Sequence, residues 1–71
     1  MDRDAAEKLS GLMIEFGARL NESVALVQQK GSPSEFEAYR AAVGVILGEM
    51  LLSIMNPIYK EYPELKPPEL E

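Results

Sequence analysis

The chain has 71 residues, which suffices for one small domain with a hydrophobic core of limited size. It contains no Cys and no His, so disulfides, thiolate metal sites and the commonest general base are excluded. The net charge is −5 and the seven Lys and Arg are scattered, which argues against a nucleic-acid-binding function. A small chain without disulfides or a metal is usually stabilised by oligomerisation.

The first predicted element is one amphipathic helix over residues 3–30. Asp2 or Asp4 is expected to cap its start. Gly31 directly follows Lys30, and a glycine after a basic last turn is typical of a helix end. One face of this helix is apolar and consists of Leu9, Met13, Phe16, Leu20, Val24 and Val27.

The strongest local signal is the turn that follows. Ser32-Pro33-Ser34-Glu35 has the pattern of a capping box, with proline at the first helical position. One helix ends at Gly31 and the next begins at Pro33, so the connection is only one or two residues long. A loop this short predicts an antiparallel helical hairpin and therefore an all-α fold.

The second helix is predicted over about residues 33–55, and Asn56-Pro57 is expected to end or kink it. Alternatively, Asn56 caps a short third turn over residues 57–62. The face that would pack against the first helix consists of Phe36, Tyr39, Val43, Leu47, Met50 and Ile54.

The second helix carries more apolar surface than the first helix can cover, since residues 41–55 contain one charge, Glu49. Gly44 and Gly48 lie four residues apart on a second apolar stripe, where glycines favour close approach of two helices. We therefore expect two hairpins to associate through their second helices into a four-helix bundle. The predicted dimer interface consists of Ala41, Gly44, Val45, Gly48, Leu51, Leu52 and Met55.

The sequence shows no nucleophile–base pair, metal cluster or nucleotide-binding loop, so we predict no catalytic residue, cofactor or metal. Glu49 is a candidate for a buried acid in proton transfer. Its neighbours on the helix are small or polar, however, and we interpret Glu49 as the marker of an edge that stays in water.

The predicted domain covers residues 1–62, and residues 63–71 are proline-rich and acidic, which is typical of an extended or disordered tail. Ile58, Tyr59 and Tyr62 either fold back over the end of the hairpin or form a patch that binds a partner. Two residues at the end of the tail are candidates for a remnant of an expression vector, namely Leu70 and Glu71.

These features predict a non-enzymatic, homodimeric helical protein that acts as a protein–protein interaction module, such as an adaptor, an accessory or a regulatory subunit. No signal-peptide pattern is visible at the start, so we expect a cytoplasmic protein. The alternative is membrane association through residues 41–55. That helix would span about 22 Å of a hydrocarbon core about 30 Å thick, with Glu49 near its middle, which makes a membrane the less favoured environment.

Overall fold

The computed structural model describes residues 1–68, in which two long helices are joined by a tight turn. Helix α1 comprises Arg3–Lys30, and helix α2 comprises Pro33–Glu49. The second long helix continues beyond α2 as a π-helical segment, Met50–Met55, and then as α3, Asn56–Glu61. The predicted all-α helical hairpin is confirmed.

Side chains cap both long helices at their first residues. The Asp2 carboxylate accepts a hydrogen bond from the backbone N–H of Ala5 at 3.0 Å, so Asp2 and not Asp4 is the cap of α1. At α2, the hydroxyl of Ser32 accepts from the N–H of Glu35 at 3.2 Å, and the Glu35 carboxylate accepts from the N–H of Ser32 at 2.8 Å. This is the predicted capping box, which satisfies donors that have no partner inside the helix.

Gly31 ends α1 because the chain makes a close approach there. Its φ of −101° is not left-handed, so glycine is not needed for its backbone angles. Its N–H donates to the carbonyl oxygen of Val27 at 2.7 Å. A Cβ atom on residue 31 would lie 2.9 Å from that same oxygen, closer than real Cβ atoms come to such an atom. Glycine therefore stands at position 31 because a larger residue would clash with the Val27 carbonyl oxygen.

The second long helix passes through Pro57 because its turns widen beforehand. In an α-helix a proline ring clashes with the carbonyl four residues earlier, here that of Ser53. In Met50–Met55 the bonds reach five residues back, as from the N–H of Asn56 to the carbonyl of Leu51. Asn56 has helical φ and ψ and makes no side-chain cap bond. The helix therefore continues past Asn56-Pro57, where the sequence predicted that it ends or kinks, or that Asn56 caps a new turn.

The π-helical segment rotates the faces that follow it. Met55 is 7% exposed and Ile54 is 41% exposed, although Ile54 was predicted to face α1. An extra residue in one turn changes the direction of every later side chain by about 100°. With Met55 turned inward, the hydrophobic core lies at the end of the hairpin remote from the loop and contains Ala6, Met13, Met55, Ile58 and Tyr59.

The two predicted apolar stripes pack together over most of their length. Met13 and Val43 are buried, whereas Phe16 is 47% exposed and differs, like Ile54, from the prediction. The other members of the stripes are half-buried between the helices: Leu9, Leu20, Val24, Val27, Phe36, Tyr39, Leu47 and Met50.

Two serine–tyrosine pairs join α1 to the second long helix. The Ser10 hydroxyl lies 2.6 Å from that of Tyr59, and both residues are buried. Near the loop, the Ser23 hydroxyl lies 2.7 Å from that of Tyr39 and donates to the carbonyl of Leu20, so Tyr39 is the donor to Ser23. Because a buried hydroxyl without a partner costs about 1–3 kcal/mol, these pairs favour this rotation of the helices.

The chain after α3 packs against the start of α1. Pro63–Leu65 forms one 3-10 turn, and Leu65 contacts the hydrophobic core. Arg3 forms an ion pair with Glu64. The first part of the predicted extended tail is therefore attached to the hairpin. The predicted vector-derived residues lie outside the described part of the chain: Leu70 and Glu71.

Candidate interaction surfaces

The hairpin exposes more surface than a compact chain of its mass. Its accessible surface is 5083 Å², whereas a compact 7.9 kDa monomer exposes about 4,400 Å². Its radius of gyration is 14.2 Å, against about 11 Å for a compact domain of 71 residues. Large apolar side chains contribute to this surface and include Leu12, Ile14, Phe16, Leu26, Val45, Ile46, Leu52 and Ile54.

We call the apolar surface of the second helix that points away from α1 the outer face; it consists of Ala41, Gly44, Val45, Gly48 and Leu52. Val45 is 68% exposed and Leu52 is 66% exposed. A Cβ atom on Gly44 or Gly48 would meet nothing within 4 Å, so both glycines border open space. These five residues belong to the predicted dimer interface, and all are accessible to another molecule except for partial cover of Gly48.

The other two residues of the predicted dimer interface are turned toward the hairpin itself. Met55 belongs to the hydrophobic core, and Leu51 is half-buried against that core. The π-helical segment Met50–Met55 causes this difference, because it shifts the helical period after α2. Of the predicted interface, the surface that a second chain could contact is therefore the outer face, which contains neither Leu51 nor Met55.

Ile58, Tyr59 and Tyr62, for which the sequence left open folding back or a partner patch, pack at the end of the hairpin in the structure. Ile58 is 4% exposed and Tyr59 is 6% exposed, so neither presents a surface to a partner. Tyr62 is half-buried; its hydroxyl donates to the carbonyl of Met1, and the Arg3 guanidinium lies 5.9 Å from the centre of its ring. Burial, followed by nearby negative charge, raises the pKa of Tyr62.

A second exposed apolar surface, which we call the side face, consists of Leu12 and Phe16 on α1 and of Ile46 and Ile54 on the second helix. Their exposed fractions lie between 40% and 48%. At about 100° per residue, and with the extra residue of the π-helical segment counted before Ile54, all four point to the same side of the hairpin. Sequence reasoning missed this surface because it assigned Phe16 and Ile54 to the contact between the helices.

The opposite side of the hairpin contains a groove of about 490 Å³. Met13 and Leu47 contribute to its walls, and Pro67 lies at its edge. A Cβ atom on Gly17 would lie 3.7 Å from the Leu47 side chain, which shows how closely α1 and α2 approach here. Three of the four methionines of the chain line the groove: Met13, Met50 and Met55.

Charged groups on the hairpin lie at its surface. Glu49 is exposed, as expected for an edge in water, and accepts a hydrogen bond from the Ser53 hydroxyl at 3.0 Å. Glu35 has a pKa below its ordinary value, because the backbone N–H and then the hydroxyl of Ser32 donate to its carboxylate. The pKa of Glu64 is also lowered, first by a backbone N–H and then by Arg3. These perturbed carboxylates belong to a helix cap and to the C-terminal contact.

The second long helix also meets the composition expected of a membrane span. Pro33–Glu61 is continuous over 29 residues, and its most apolar window of 18 residues has a mean hydropathy of 1.7. Only 17% of that window is buried inside the hairpin. Core helices of soluble proteins satisfy the same test of length and composition, so this observation identifies a candidate and no more.

Residues 1–68 contain no group of three or more His, Cys, Asp or Glu side chains arranged to hold a metal ion. The same part of the chain has no buried side-chain nitrogen or oxygen that lacks a hydrogen-bond partner. The candidate interaction sites in the described part of the chain are the outer face, the side face and the groove. Comparisons with protein-family models, with curated proteins and with solved structures found no match to this chain.

Proposed function

We propose that this chain is a non-enzymatic, cytoplasmic homodimer that binds other proteins as an adaptor, an accessory or a regulatory subunit. The observation that carries the proposal is the accessible surface, which is about 700 Å² larger than that of a compact monomer of 7.9 kDa. A standard protein interface buries about 800 Å² on each partner. The excess accessible surface of the hairpin is thus similar in size to the area that one chain buries in a standard interface.

The outer face is the proposed dimer interface. Val45 and Leu52 supply apolar side chains that are about two-thirds exposed in the single hairpin. Gly44 and Gly48 have no side chains, so the backbone of a second helix can come close between them. Two hairpins joined through this face form an assembly of four helices, with the two α2 helices in contact at its centre.

Sedimentation equilibrium over a dilution series tests the dimer directly. We expect a mass of at least two chains that falls toward one chain on dilution. Val45→Asp should weaken the association, because it places a charge in the apolar contact. Leu26→Asp is the matched control, since Leu26 is 53% exposed on α1 and lies outside the outer face. A compact monomer at every concentration would overturn the proposed dimer.

Partner binding is tested by affinity purification from the native host, followed by cross-linking and mass spectrometry. The same proteins should be recovered in repeated experiments, and their cross-links should map to exposed surface on the hairpin. Recovery of only this chain, with no reproducible partner, would argue against the adaptor role while leaving the dimer intact.

Membrane association is the second candidate, and the long apolar helix Pro33–Glu61 is the observation in its favour. At about 1.5 Å per residue, 29 residues extend about 43 Å, which exceeds the thickness of a hydrocarbon core. Flotation with liposomes discriminates between the two candidates. If the chain is a homodimer that binds proteins, it should stay in the aqueous fraction. Co-flotation with the liposomes in high salt would favour membrane association instead.

A further inference from the structure

The side face is apolar surface that a dimer through the outer face leaves uncovered. Leu12, Phe16, Ile46 and Ile54 are each 40–48% exposed. Both long helices contribute to it, whereas the outer face belongs to one helix. The hairpin measures 44 × 19 × 16 Å, so the outline of its broad side sets an upper limit close to the roughly 800 Å² that a standard interface buries on each partner.

The charges at the edges of the side face are complementary to each other. Arg19 borders Phe16 on α1, and Glu49 borders Ile46 on α2, each about 60° further around its helix. Both charged residues are exposed. Within residues 1–68, neither Arg19 nor Glu49 forms a salt bridge. Arg19 therefore forms the cationic edge of the side face on α1, and Glu49 forms its anionic edge on α2.

We infer that the side face binds a second copy of this chain, with α1 of one copy packed against α2 of the other. A two-fold axis parallel to the helices produces this arrangement. It places the cationic edge of each copy along the anionic edge of the other. The alternative axis, perpendicular to the helices, would pair cationic edge with cationic edge and anionic edge with anionic edge. Charge complementarity thus favours a second copy of this chain as the partner of the side face, and it favours the two-fold axis parallel to the helices.

The apolar residues of the side face match in this arrangement. Gly17 contacts Leu47, so residues 17 and 47 lie at about the same height in the hairpin, and Phe16 and Ile46 lie about 1.5 Å to either side of that height. Rotation about an axis parallel to the helices keeps each residue at its height, and Phe16 of one copy then meets Ile46 of the other. Arg19 and Glu49 lie about 3 Å from the height of residues 17 and 47 in opposite directions, within the combined reach of their extended side chains.

This contact goes beyond the proposed outer-face dimer and uses none of its residues. A chain that binds copies of itself through two different two-fold contacts forms assemblies of more than two chains when both contacts form. Each face used alone produces a dimer. Because the two contacts are separate, substitutions in one face leave the other available, and the two inferences can fail independently.

Native mass spectrometry of four proteins separates the two contacts. We expect more than two chains for the unmodified protein, two for Val45→Asp, two for Phe16→Asp and one for the double variant. If Phe16→Asp has the same mass as the unmodified protein, the side-face contact is refuted. If Val45→Asp has the unchanged mass, the outer-face dimer fails and the side-face contact stands. Circular dichroism verifies that each variant remains helical. Phe16→Asp should preserve the helix because the Phe16 side chain is 47% exposed in the single hairpin.

Charge reversal provides a second test that does not alter the apolar contact. In the Val45→Asp background, Arg19→Glu or Glu49→Arg alone should weaken the side-face dimer by about tenfold, because both ion pairs become like-charged. A mixture of the two variants should form mixed dimers with the affinity of the parent, since both pairs are then opposite in charge. An interaction within one chain cannot be restored by mixing. Failure of the mixture to recover would overturn the inference.

Discussion

A leucine at position 48 should weaken dimerisation through the outer face much more than a leucine at position 11. Gly48 and Gly11 are both inside long helices, and a Cβ atom on either one would meet nothing within 4 Å in the single hairpin. Neither substitution therefore strains the monomer. Each removes a helical glycine, which stabilises a helix by about 0.5–1 kcal/mol. The two variants are matched in their effect on folding.

The expected difference follows from the number of side chains added to the interface. A Leu side chain inserted into a close-packed contact costs about 1–3 kcal/mol, and the two-fold dimer receives one from each copy. The total of about 2–6 kcal/mol corresponds to a rise in Kd of at least about 30-fold. Gly11 lies on the solvated side of α1, so Gly11→Leu should leave the Kd nearly unchanged.

Sedimentation equilibrium of both variants measures the two dissociation constants, and urea unfolding checks that their monomers are comparably stable. The measurement is made in a Phe16→Asp background, so that only the outer-face contact contributes to the mass. Equal dissociation constants for Gly48→Leu and Gly11→Leu would refute the assignment of the outer face. A larger effect at Gly11 would place the interface on α1 instead.

Three further predictions concern the hairpin itself. Gly31→Ala should lower the free energy of unfolding by about 1–2 kcal/mol in urea titration, because its Cβ would lie 2.9 Å from the Val27 carbonyl oxygen; unchanged stability would contradict the steric explanation. Tyr59→Phe removes the hydrogen-bond partner of the buried Ser10 hydroxyl and should lower the free energy of unfolding by about 1–3 kcal/mol. In a double-mutant cycle with Ser10→Ala, the effects of the two substitutions should be coupled and not additive. Glu35→Gln retains an acceptor for the capping box but no charge. Because folding lowers the pKa of Glu35, the charged carboxylate stabilises the hairpin above pH 4.5, and this stabilisation is lost as the pH falls through the lowered pKa. The free energy of unfolding of the variant should therefore decrease less in acid than that of the unmodified protein. Parallel profiles of unfolding free energy against pH would argue against this role.

The helical hairpin could be predicted because its signals are local. A capping box requires only Ser32 and Glu35, three residues apart, and both hydrogen bonds are present. The position of Gly31 was also recognised, although its physical reason is close approach to Val27 and not a left-handed backbone. Interactions within one turn of chain are visible in sequence because the helical geometry already specifies their distances.

The serine–tyrosine pairs were not predicted, although their residues carry a usable signal. Ser10 lies on the same face of α1 as Met13, and a serine on an apolar face requires a hydrogen-bond partner. That partner is Tyr59, 49 residues away in the chain. Its identity depends on the register between the helices after the π-helical segment, which a regular 100° period does not describe.

The amino-acid sequence by itself determined where the two helices meet and that the second helix has more apolar surface than one neighbour can cover. Tertiary structure decided which residues make up that surface. Packing of Met55 and Tyr59 against α1 occurs together with wider turns ahead of Pro57, and these turns expose Ile54. The physical reason is that each residue advances a helix by about 100°, so one added residue redirects all later side chains. The apolar excess was therefore evident from composition and period, but the outer face and the side face became distinct surfaces only in the folded hairpin.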